Sequence, residues 1–153
     1  MSAKTLNAAH DRAEILSRLR RLQPDAPRLW GKMTAAQMIC HLNDSFRGVM
    51  GDRQARIPRF SWWRLMKSVV LYMPMKWPHG VKTRPEFDQQ IGGTPPADFE
   101  ADLVSLFAAI DKFTQQPRSF EFRPHPMFGA MSEKEWMRWA YLHCDHHLRQ
   151  FGQ

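Results

Sequence analysis

Cysteine is nearly absent: the 153-residue chain has two, Cys40 and Cys144. So few thiols agree with a reducing compartment rather than an oxidising one, and both are read as small buried hydrophobes, not as thiolate ligands or a redox pair. Long apolar runs are missing too. Nothing approaches the roughly 20 consecutive apolar residues of a membrane span, and the opening MSAKTLNAAHDRAEILSRL lacks the apolar stretch of a secretory signal. A cytoplasmic protein is therefore expected. No repeat or low-complexity tract breaks the chain, so residues 1–153 are expected to form a single domain. A hydrophobic content of 43%, with 12% aromatic, is enough for a core.

Histidine is what the chain has. His143 and His147, in WMRWAYLHCDHHLRQFG, are spaced i, i+4, which stacks two imidazoles on one helical face and suits one shared metal ion. At about 100° per residue, Trp136, Trp139, His143, His147 and Gln150 form one stripe about 80° wide, so the histidines continue an aromatic, buried face. The zinc-protease pattern would place Glu directly after the first His; Cys144 stands there, and that chemistry is excluded. His146 flanks the stripe and is left as an alternative ligand, a supporting group or a solvent-facing residue.

A stable site wants a third ligand. His41, in MTAAQMICHLNDSFRGVM, is the best candidate. The run opens with Thr34 and Gln37 at capping-box spacing and aligns Met38, His41, Asp44, Ser45 and Gly48 on one face, with small residues leaving space beside the histidine. Asp44, one turn after His41, is the candidate catalytic residue, as an orienting partner or a proton acceptor. His10 lies in a charged stretch, and His79 and His125 in proline-bounded loops, which makes them weaker candidates.

The pattern predicts an all-α protein: helices over about 6–22, from Thr34 to about Gly51, over 97–115 with Phe99, Leu103, Leu106, Phe107 and Ile110 at helical spacing, and from Ser132 onward, where Glu135 repeats the capping box. Four long helices make a bundle, with a long helical and looped insertion, 52–96, between the second and third. The arginines of RLRRL (Arg18, Arg20 and Arg21) are read as a solvated helix face.

That insertion carries the charge. From 47 to 84 there are nine basic residues (Arg47, Arg53, Arg56, Arg59, Arg64, Lys67, Lys76, Lys82 and Arg84) against Asp52 alone, a balance of +8 beside the chain's net +7. Phe60, Trp62, Trp63, Tyr72 and Trp77 are interleaved, and Trp62, Leu65, Met66, Val69 and Met73 fit one face of a short amphipathic helix. Three readings stay open: a solvated cover at one end of the bundle, a wall of the metal pocket that attracts an anionic substrate or thiol, or a membrane-surface or nucleic-acid patch. No recognition motif supports nucleic acid.

QMICHL together with HCDHHLRQFG resembles the DinB-like superfamily of four-helix-bundle metalloproteins, and HPMFG at 125–129 resembles its small uncharacterised bacterial branch. The likeness runs from about Leu6 onward. It implies a DinB-like bundle with His41, His143 and His147 as ligands of a divalent metal ion, zinc or nickel first, then iron or manganese. Some members of the superfamily are S-transferases or isomerases that use thiols such as mycothiol or bacillithiol; many have no known activity. The expectation is a metal-dependent enzyme of transferase or hydrolase type acting on a small molecule. Its metal would be a Lewis acid that lowers the pKa of bound water or holds a thiolate. The alternative is a non-catalytic metal- or ligand-binding protein that uses the basic, Trp-rich insertion for an anionic partner. A homodimer is compatible with either.

Overall fold

A computed structural model describes residues 3–56 and 61–153. Within these residues lie five α-helices: α1 (Ala9–Arg21), α2 (Ala35–Met50), α3 (Trp63–Tyr72), α4 (Phe99–Thr114) and α5 (Glu133–Gln150), with a 3-10 turn at Pro85–Phe87. Among the described residues there is no strand, only an isolated bridge between His125 and Gly129. No helix among them is long and apolar enough to cross a membrane. Arg59 and Phe60 of the insertion lie outside the described residues.

Both expected capping boxes form. Thr34 accepts from the backbone of Gln37, whose side chain reaches back to Thr34, and Ser132 and Glu135 do the same for α5. Each pair satisfies two donors that a helix start leaves orphaned. α2 packs on α4 and α5, and α1 packs on α5, as in a helical bundle. Met38, Ile39, Leu42, Phe46, Leu106, Ile110, Phe113 and Trp136 are fully or almost fully buried between them. Cys40 and Cys144 are free and buried, and burial pushes both thiols up to about 12.

Arg18 departs from the solvated face expected of RLRRL. It is 8% exposed, bonding Asp145 at 2.8 Å and the Gln153 carbonyl at 3.0 Å. The reason is tertiary: α5 brings a carboxylate against α1, and a guanidinium so buried needs such a partner. Arg20 and Arg21 are exposed, as expected.

α3 also turns a different face inward. Leu71 is fully buried, and Trp63 and Val70 pack on the core, whereas Trp62, Leu65 and Met73 are 53%, 83% and 44% exposed. Its orientation is set by α5: Lys67 meets Glu135 at 2.9 Å, and the Arg138 Nε–H donates to the Leu71 carbonyl at 2.8 Å. These polar ties outvote the alternative apolar stripe. Leu71→Ala should therefore cost about 2–5 kcal/mol, and Leu65→Glu should stay within about 0.5 kcal/mol of the parent. Urea denaturation of the two variants checks this, and the reverse order of stabilities would mean that α3 is rotated.

Candidate metal centre

His41 comes from the middle of α2, and His143 and His147 from successive turns of α5. Their ligand nitrogens all lie within 4.8 Å of one another. The rings meet edge to face, with centroids 5.2 Å apart for His41 and His143, 4.7 Å for His41 and His147, and 4.8 Å for His143 and His147. The helical-face argument and the structure agree on this trio, which could hold a metal ion.

The outer nitrogens are fixed by the protein. His41 Nδ1 lies 2.8 Å from the carbonyl of Phe87; a carbonyl only accepts, so Nδ1 carries the proton and Nε2 is bare. His147 Nδ1 lies 3.2 Å from Gln150 Oε1, while the Gln150 amide donates to the Trp30 carbonyl at 2.8 Å. His147 therefore also turns a bare Nε2 inward. Such outer partners orient ligating imidazoles and raise their basicity. His41 Nε2 faces His143 Nε2 at 3.2 Å, a spacing that demands a shared proton or a shared cation between them. Two nitrogens about 2.0–2.1 Å from one tetrahedral ion would stand about 3.3 Å apart, so the residues fit a divalent metal. His143 Nδ1 is buried and has no partner among the described residues.

All three rings are held neutral, as metal ligation requires. Burial depresses His41, opposed by its bond to the Phe87 carbonyl. Burial, then the neighbouring imidazoles, pushes His143 and His147 well below the ordinary histidine value. His146 is half-buried at the same wall and outside the trio, its ring 5.1 Å from that of His147, and burial lowers it to about 4.

Asp44 is not among the residues that line the cavity beside the trio. Its fully buried carboxylate receives the Thr94 N–H and the Thr94 hydroxyl, each at 2.7 Å, the Gln89 amide at 3.1 Å, and Arg53 at 3.3 Å. Arg53 also donates to the carbonyls of Glu86 and Gly92. Arg53 thus ties the insertion to α2 instead of standing free to attract an anion, and the partner that orients His41 is Phe87. Gly48 lets this happen, since a Cβ there would lie 2.8 Å from the Phe87 ring. Phe87 takes up part of the space expected beside His41, and the rest is cavity, lined by His41, Ser45 and Gly48.

The trio opens on a cavity of about 550 Å³. The insertion forms one wall through Trp63, Val70, Trp77, Lys82, Arg84 and Phe87, and the HPMFG turn forms another. Arg53, Lys82, Arg84 and Arg123 line it, with no carboxylate among the lining residues. Of the functional groups, the Phe87 and Trp30 carbonyls had no signal in the sequence, because a backbone acceptor is residue-blind. His125 had one, its HPMFG motif, but it lines the cavity without joining the trio.

Asp44→Ala should cost about 3–5 kcal/mol, because it strands the largely buried Arg53 guanidinium. Urea denaturation measures it; full stability with lost turnover would instead identify Asp44 as a catalytic base. For the buried histidines the sign is also defined. Their folded values are depressed, so stability is full above the unfolded value of about 6.5. As pH falls below it, the unfolded chain binds protons that the folded chain refuses, and stability drops by up to about 1.4 kcal/mol per pH unit for each excluded proton. For His125 this continues toward about 3. Denaturation midpoints of metal-free protein should fall from about pH 7 to pH 5; a flat profile would show that the rings are hydrated.

No curated protein and no solved structure matches the chain. One family model does, over residues 2–153, and its description is "Protein of unknown function (DUF1569)". With the match spanning nearly the whole sequence, the chain belongs to the DUF1569 family.

Proposed function

We propose that the protein is a metal-dependent enzyme of transferase or hydrolase type, built as a single DinB-like four-helix-bundle domain and acting on a small molecule in the cytoplasm. The observation that carries this is the convergence of three neutral imidazoles on a cavity large enough for a substrate. His41, His143 and His147 would hold the ion, zinc or nickel first, then iron or manganese. When bound, it supplies Lewis acidity to a substrate oxygen or sulfur, and a low-molecular-weight thiol is a fitting co-substrate.

The chain's own residues do the rest. Phe87 and Gln150 hold two rings in the tautomer that turns a lone pair inward. Trp139 packs on His143 with centroids 4.8 Å apart, and Trp77 lies 6.3 Å from the same ring. These indoles exclude bulk water from the nitrogens and strengthen electrostatics there. A rival reading, a non-catalytic binder of an anionic ligand, is supported by Lys82, Arg84 and Arg123 in the lining.

Protein purified without a histidine tag should carry a stoichiometric divalent ion. Excess metal at about 100 times its dissociation constant should stabilise the fold by roughly 2.7 kcal/mol. His147→Ala should lose most of that gain, and His10→Ala should keep it. Equal responses in the two variants would remove His147 from the ligand set. Turnover should vanish on chelation and return with metal, whereas anion binding indifferent to chelation, with no turnover, favours the rival.

A further inference from the structure

The HPMFG turn builds a histidine of a different kind. His125 and Gly129 exchange two backbone hydrogen bonds, each 2.8 Å, closing the turn with Gly129 at φ 71°. Inside it, the N–H groups of Met127 and Phe128 both donate to His125 Nδ1, at 3.1 and 3.2 Å. A nitrogen that accepts two hydrogens bears none, so the neutral ring carries its proton on Nε2. The ring is 8% exposed and wedged among Phe128, Trp136 and Trp139, with centroids 4.6, 5.6 and 5.3 Å away. None of these neighbours offers a good acceptor, and no described residue takes a hydrogen bond from Nε2. His125 lines the cavity.

Arg84 adds a second donor. Its terminal nitrogen meets Glu86 at 3.2 Å, but its Nε is buried with no partner. Arg84 lines the same cavity and is close enough for its charge to add to burial in keeping His125 neutral. Two N–H donors, one of them cationic, thus border a space whose lining holds no carboxylate. A buried donor without an acceptor, as Arg84 Nε is, is rare and points to a missing partner, and a lining that carries Lys82, Arg84 and Arg123 but no carboxylate favours an anion in that place.

We propose that the Nε2–H of His125 and the Nε–H of Arg84 form an oxyanion subsite, which binds a carboxylate or phosphate group of an organic substrate whose apolar body lies against Trp63, Trp77 and Trp139. This rests on reading the cavity as the substrate site and names the substrate class. The subsite shares no residue with the three imidazoles, so the two ideas fail separately. His125 is a substrate-binding residue here, with its tautomer set by the turn.

The test uses the full chain, chelated and metal-loaded, with 3-phenylpropionate and phenyl phosphate as calorimetric probes; the one that binds more tightly identifies the anionic group. His125→Asn keeps an oxygen to accept the Met127 and Phe128 hydrogens and removes the cavity donor. Both His125→Asn and Arg84→Gln should weaken the bound probe by at least about tenfold, the loss expected for a charge-assisted hydrogen bond, and Lys32→Gln should not. Long-range proton–nitrogen correlation of the parent should show His125 protonated at Nε2 and bare at Nδ1, with the Nε2 signal moving on probe addition, even if a variant fails to fold. Binding of neither probe, unchanged affinity in both variants, or a proton on Nδ1 would overturn the subsite. A probe that binds only metal-loaded protein and is lost in His147→Ala, but not in His125→Asn, places the anion at the imidazoles and also overturns it. Probe binding in a protein that takes up no metal leaves the subsite standing and removes the metal reading.

Discussion

A carboxylate placed in the middle of a buried helix face cannot stay without partners, and Asp44 is such a group. Its donors come from Gln89, Thr94 and Arg53, all in the chain between α2 and α4. Satisfying Asp44 therefore seats residues 86–94 on α2. That seat brings the Phe87 carbonyl to His41 and the Phe87 ring against Gly48. The cavity wall formed by Lys82, Arg84 and Phe87 follows from it. The centre is thus organised by an ion pair that does not face it.

The imidazoles obey the opposite logic. Instead of being partnered as charges, they are kept from becoming charged. Desolvation is the leading cause of the depression at His41, His143 and His147, and the rings' mutual repulsion adds to it at His143 and His147. Neutral rings in a buried, aromatic surrounding have lone pairs available at neutral pH. His125 is neutral for a related reason, with burial joined by the nearby Arg84, but its lone pair is used up by its own turn. One wall of the cavity presents acceptors and another presents donors, from the same residue type.

Much of the centre was legible in the sequence because it obeys helical geometry. The i, i+4 spacing of His143 and His147 and the shared face of His41 and Asp44 are local facts. Both capping boxes were equally readable, each lying within four residues. The face of α3 was not: Trp62–Leu65–Met73 and Trp63–Val70–Leu71 are both plausible stripes, and Lys67 with Glu135 and Arg138 decided between them. Arg18 was misread for the same reason, since its partner Asp145 lies 127 residues away. Asp44 was placed on the right face, but its partners belonged to a segment whose path the sequence leaves open.

The sequence by itself determined the helical character, the capped starts of α2 and α5 and the helix faces on which His41, His143 and His147 lie, because backbone hydrogen bonding repeats every 3.6 residues and carries each side chain to a known face. Only the tertiary structure decided which nitrogen each histidine offers. That choice is made by the acceptor or donor at the other end of the ring: the Phe87 carbonyl for His41, Gln150 for His147, and the Met127 and Phe128 amides for His125. Where such a partner is a main-chain group from a distant segment, as Phe87 is for His41, no residue type in the sequence announces it.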